Sequence, residues 1–170
     1  MAAYVFTERW VLPHPPDVVA AVLLDLAAYV DWWPQVVAVG RLGDDDALVL
    51  CRSTLPYDLE LHLRATERRL PTLEVAIDGD LVGTARFTVV EDGAGSRLDY
   101  RQEVDLGGWF GRVPAPLLRL GDPLLRWNHA RMMAGCVAGL RARLVELADP
   151  SRTSCGVAAG ATAPHDVREG

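Results

Sequence analysis

Between residues 35 and 106 apolar and polar positions alternate in short runs, and the alternation predicts strands. QVVAVGRL, ALVLCRST, YDLELHLRATERRL, LEVAIDG, LVGTARFTVVED and SRLDYRQEVDL are six such runs, punctuated by GDDD, LPY, RLPT, DGD and EDGAGS. In the third run Leu59, Leu61 and Leu63 oppose Glu60, His62 and Arg64. In the last, Leu98, Tyr100, Gln102 and Val104 oppose Arg97, Asp99, Arg101 and Glu103. A period of two with one apolar side describes an antiparallel sheet with a buried face and a wet one. AYVFTERWVL, residues 3–12, reads as a further strand with Phe6 and Trp10 on one face.

Two short helices are expected next. Pro15 and Pro16 suit a helix start, and Asp17 sits at the positive end of the helix dipole. A pause near Asp25 and a second turn ending at Trp33, before Pro34, complete this stretch. GGWFGRVPAPLLRLGD, residues 107–122, reads as a Gly/Pro-broken apolar connector. From Pro123 to Leu147 the spacing turns helical, with Met133, Val137, Leu140, Leu144 and Leu147 on one stripe. His129 lies one turn before Met133, and Cys136 at the edge. Residues 149–170 are small, polar and Pro/Gly-containing, the composition of a disordered tail, so 1–148 form one domain.

The expected architecture is α+β. Seven antiparallel strands have one face to cover, and one long C-terminal helix is the element available to cover it. A curved sheet wrapped on that helix leaves a cavity between them, closed at one end by the short helices.

Composition narrows the function classes. The chain has 170 residues, half of them apolar, enough for a core without staples. All 17 basic residues are arginine, as expected of coding bias in a GC-rich bacterial genome. A net charge of −6 and the lack of a basic stripe with interleaved aromatics argue against a nucleic-acid partner. No apolar stretch reaches the roughly 18 residues of a membrane span, so membrane insertion is not expected. The first residues lack a basic region followed by an apolar one, so no signal peptide is expected. Cys51, Cys136 and Cys155 are odd in number and lack metal-ligand spacing, which points to a reducing cytoplasm. Neither a phosphate-cradling glycine pattern nor HExxH occurs, so no cofactor and no metal are expected.

DVVAAVLLDLAAYVDWWP, GDLVGTARF (79–87) and RWNHARMMAGCVAGLRARL (126–144) carry a resemblance to a known group. In these stretches the chain resembles the START/Bet v 1-like (SRPBCC) superfamily, and within it a bacterial polyketide cyclase/dehydrase-like subgroup with a similar WNH signature. The resemblance covers roughly residues 3–147. It implies a helix-grip fold and a hydrophobic, polycyclic or polyketide-like ligand. It implies no single activity, because the scaffold hosts carriers, sensors, cyclases and hydrolases alike.

Within that frame, His129 reads either as a core histidine bonded to a neighbour or as a proton shuttle or donor to a ligand carbonyl. Tyr100 and Gln102 share its side of the sheet and need partners if buried, which a ligand or water could supply. These three are the candidate catalytic residues. Asn128 shares its direction with Gly135 and Gly139 and reads first as a structural hydrogen-bonding group. Candidate ligand-binding residues are Trp10, Tyr29, Trp33, Arg52, Tyr57, Phe87, Trp127 and Met133. The aromatics would wall a planar ligand, with Gly83 and Ala85 leaving room beside Phe87. Arg52 would hold a carboxylate or enolate if it points inward, a direction its strand leaves open.

Two function classes follow. One is a cofactor-independent cyclase or dehydratase, needing a shaped apolar cavity and a few donors. The other is a non-catalytic carrier or sensor of a hydrophobic molecule, with a subunit of a larger complex as a third possibility. The expected assembly is a monomer or homodimer. Convergence of His129, Tyr100 and Gln102 on one cavity favours chemistry.

Overall fold

A computed structural model of the chain describes residues 4–108 and 115–149, with side chains in the last helix described from 121 onward. Strand β1 (Tyr4–Leu12) leads into α1 (Pro16–Leu24), a 3-10 turn (Leu26–Ala28) and α2 (Tyr29–Trp32). Six strands follow: β2 (Val36–Arg41), β3 (Asp46–Arg52), β4 (Asp58–Arg69), β5 (Thr72–Gly79), β6 (Leu81–Asp92) and β7 (Gly95–Leu106). Helix α3 (Ala115–Ala148) closes the described chain. This is the α+β helix-grip architecture. The tail beyond Asp149, Cys155 with it, and positions 109–114 of the expected connector lie outside the described residues.

The seven strands form one antiparallel sheet in the order β1-β7-β6-β5-β4-β3-β2. Consecutive strands from β2 to β7 are hairpin neighbours, but β1 pairs β7 at the opposite edge from β2. The segment from α1 to α2 therefore has to cross the sheet. It does so as two pieces because the chain leaves helical geometry at Asp25 (φ −84°, ψ 72°). The crossing buries Val19, Ala20, Val22 and Leu23 of α1 and Tyr29 and Trp32 of α2. Trp33 adopts extended geometry before Pro34, as the steric demand of a following proline requires.

Period-two alternation sets which side chains meet α3. Ser96, Leu98, Tyr100, Gln102 and Val104 of β7 are buried, and their odd-numbered neighbours are not. On the wet face the polar side chains pair laterally, as in Arg64 and His62 with Asp46 and Arg86 with Glu74. Leu140 and Leu144 of α3 are fully buried in the main core, and burying such a side chain contributes about 1.5–3 kcal/mol. A Cβ on Gly139 would collide with the backbone carbonyl of Trp32, so a glycine lets α3 close on α2.

Three expectations are corrected. Helix α3 begins at Ala115 rather than Pro123, so the apolar end of the connector is helical. Pro123 sits inside the helix and withholds one backbone donor there without ending it. Leu147 keeps the stripe's direction but is 52% exposed, because the last turn runs past the core. Gly83 is not there to leave room in a pocket: a Cβ would strike the Glu103 carbonyl on the paired strand.

Candidate functional site

A cavity of about 310 Å³ lies between the sheet and α3. The backbone of α3 comes close to α1 and α2 more than to any strand, and this standoff leaves the space. Leu59, Leu61 and Leu63 of β4, Val75 and Ile77 of β5, and Ala85 and Phe87 of β6 form its floor. Met132 and Met133 of α3 form the roof, and Tyr29 and Trp33 one end. Exposed lining residues mark the rim: Leu24, Asp25 and Ala27 on one side, Gly43, Asp44, Asp45 and Arg68 on the other.

The apolar wall is broken by one polar cluster, and strand register explains its position. Gln102 stands opposite Phe6 of β1 on one side and Ala85 of β6 on the other. The small alanine leaves Gln102 open to the cavity, while the Phe6 ring stacks on His129 with centroids 3.7 Å apart. His129 Nε2 lies 2.9 Å from Gln102 Oε1, and the Tyr100 hydroxyl donates to the same oxygen at 2.8 Å. Phe87, paired with Tyr100 across the sheet, has its ring 5.0 Å from the tyrosine ring. With Oε1 as shared acceptor, the imidazole proton sits on Nε2. Nδ1 then remains an acceptor with no partner among the described residues.

Burial sets the protonation of this cluster. Loss of water around His129 pushes its pKa down to about 4, so the ring is neutral across the physiological range. Burial pushes Tyr100 far up, keeping it a proton donor rather than a phenolate. The Cys51 thiol, also in the cavity wall, is pushed up to about 12 by burial. A neutral imidazole can accept a proton, and the resulting cation is costly here unless an oxyanion forms beside it. The cluster is thus suited to moving a proton while negative charge appears on a ligand oxygen.

His129, Tyr100 and Gln102 therefore meet at one place. Tyr29, Trp33, Tyr57, Phe87 and Met133 line the same cavity, although the Tyr29 hydroxyl is committed to the Leu23 carbonyl at 2.7 Å. Three expected ligand residues do not line it. Trp10 pairs with Leu98, two residues along β1 from the row of Tyr100, where the inner face is solid core. Its ring backs that of Tyr100 at 6.3 Å. Arg52 points outward because Ala47, Val49 and Cys51 take the inward parity of β3, and it pairs with Asp58 at 3.5 Å. Trp127 is 51% exposed, since two residues along a helix turn its side chain far from the direction of His129.

Phe6 and Ala85 are the wall residues the strand patterns did not single out as part of the polar site. The Phe6 parity was visible; its place under His129 depends on register. Asn128 is structural: its Oδ1 accepts from the Ser53 hydroxyl at 2.9 Å and from the Thr54 amide at 3.0 Å. These bonds tie the β3–β4 loop, which carries Tyr57, to α3. Replacing Asn128 with alanine should cost about 1–2 kcal/mol, measured by urea unfolding, because both donors lose their acceptor. A change under about 0.3 kcal/mol would show that the loop does not need the tether. Among the described residues no three His, Cys, Asp or Glu side chains gather as a metal would require. No described helix is long and apolar enough to cross a membrane.

Residues 4–149 match the family described as polyketide cyclase / dehydrase and lipid transport. No curated protein matches the chain in sequence. A solved structure of a Thermus thermophilus protein superposes with a TM-score of 0.73 at 14% identity, covering 86% of this chain and 100% of that one. A START superfamily protein from Mycobacterium smegmatis gives 0.68 at 13%, covering 84% and 98%. The Zhui aromatase/cyclase from a Streptomyces species gives 0.66 at 12%, covering 87% and 97%. At these identities the likeness is one of fold.

Proposed function

The chain belongs to the polyketide cyclase / dehydrase and lipid transport family, and on that premise we propose that it binds a hydrophobic, planar, polyketide-like molecule and promotes its cyclisation or dehydration. The observation that carries this reading is the shared hydrogen-bond acceptor of Tyr100 and His129, Gln102 Oε1, set in an otherwise apolar cavity. A ligand held only for transport needs no titratable group at that point.

The chemistry would run as an aldol-type closure. His129 Nδ1 takes a proton from a carbon flanked by carbonyls, and the enolate carbon attacks a second carbonyl of the same chain. The Gln102 amide N–H stabilises charge on oxygen, and the Tyr100 hydroxyl, donating to Oε1 of that amide, holds and polarises it. The proton returns from His129 to the new alkoxide; a second proton, taken by Nδ1 from the carbon that attacked, then joins the departing hydroxyl, and water leaves as the ring double bond forms. The apolar walls, Phe87 and Trp33 among them, hold the chain folded so that the reacting carbons meet.

The test uses a poly-β-carbonyl compound and follows ring formation by mass, as loss of water. The protein should accelerate the reaction above buffer. Ala85→Phe, which fills space beside Gln102, should weaken binding of a naphthyl dye about tenfold and suppress the acceleration, with melting temperature unchanged or raised. Tight, Ala85→Phe-sensitive binding without acceleration would overturn catalysis and leave a carrier or sensor of a hydrophobic ligand.

A further inference from the structure

Among the described residues the deep part of the cavity wall carries no charge, and this bears on which ligands it admits. Resting on the reading that the cavity is a ligand site, we infer that it selects uncharged ligands and rejects the same ring systems once they carry a carboxylate, sulfonate or phosphate.

The polar groups deep in the cavity are Tyr100, Gln102, Asn128 and His129, and burial holds the last of these neutral. Among the described residues no arginine lines the cavity except Arg41 and Arg68, both exposed at its rim. Both are engaged by carboxylates: Arg68 by Asp45 at 2.9 Å, Arg41 by Asp44 at 4.0 Å. Arg126, near the polar cluster, lies over the rings of Tyr4 and Phe6 and pairs with Asp122 at 2.9 Å. Of the six lining carboxylates, Asp44, Asp45, Asp46, Glu67 and Glu74 are ion-paired with arginines, so the described lining offers an entering anion no unengaged guanidinium group.

An anion entering this space would lose its water with no free cation among the described lining residues to replace it, the costliest kind of burial. It would also add negative charge where the proposed reaction must create it.

The experiment compares N-phenyl-1-naphthylamine with 8-anilinonaphthalene-1-sulfonate, which share a ring system and differ by one sulfonate. The uncharged dye should bind at least about tenfold more tightly, and Ala85→Phe should weaken it. Because the sulfonate also makes a dye more soluble, the deciding measurement is the change in that ratio with Leu63→Lys. Leu63 lines the cavity on β4, and the lysine supplies the missing cation. The ratio should move about tenfold toward the sulfonate, with folding checked by melting curve. A sulfonate bound equally well by the native protein, or a ratio that the well-folded lysine variant leaves unchanged, overturns the inference. Binding of neither dye, or binding insensitive to Ala85→Phe, would instead remove the cavity as a ligand site and this inference with it.

Discussion

Replacing His129 with phenylalanine should cut turnover by about 10²-fold or more while leaving binding of an uncharged ligand within about threefold. The substitution keeps much of the ring volume and its stacking on Phe6, and it removes both nitrogens. What goes is the acceptor Nδ1 and one of the two donors that converge on Gln102. If His129 is instead a core histidine, turnover stays near normal. The cost then appears as roughly 1–3 kcal/mol of stability, from a Gln102 amide that has lost a partner. Melting curve and turnover on the same variant separate the two, and unchanged turnover in a less stable protein would defeat the catalytic assignment. In the native protein the rate should be flat between about pH 5 and 8, because the ring is already neutral throughout.

Acid should destabilise the protein through the same residue. In the folded chain the ring stays neutral down to about pH 4, whereas the unfolded chain takes up that proton near the usual 6.5. Between those values the unfolded state holds more protons, so stability is full above about pH 6.5 and falls as pH drops toward 4. The shift corresponds to about 3 kcal/mol. Urea unfolding at pH 7 and at pH 4.5 measures the loss, and His129→Phe should remove most of the difference between that variant's two curves. An equal acid loss in the variant would place the effect on other groups, the carboxylates of Asp99 and Glu67 first. Their pKa values are lowered, by hydrogen bonding to Arg9 and to the backbone of Arg68 respectively.

Elements were readable from the chain to different depths. The alternation of Leu59, Leu61 and Leu63 against Glu60, His62 and Arg64 survives folding, since each strand turns one parity inward. ALVLCRST was ambiguous because both parities of its middle are apolar. Pairing settled it: Cys51 lies opposite Leu59 and Arg52 opposite Asp58, so the arginine shares the wet face. Proline usually ends or begins a helix, so Pro123 reads as the start of α3, yet the helix runs through it from Ala115.

The run RWNHARMM shows the division most closely. Helical spacing alone separates Trp127, Asn128 and His129 by about 100° each, which means that they cannot share one environment. Spacing cannot say which direction meets solvent, loop or cavity. Those assignments come from groups distant in sequence: Ser53 and Thr54, which claim Asn128, and Gln102 and Phe6, which claim His129. Periodicity is local and fixes only the relative directions of neighbouring side chains. Trp10 and Phe6 share a face of β1, and only the register with β7 sets one against solid core and the other beneath the imidazole. A cavity has no local signature at all, because it exists where α3 is held off the sheet by the packing of α1 and α2 at one end.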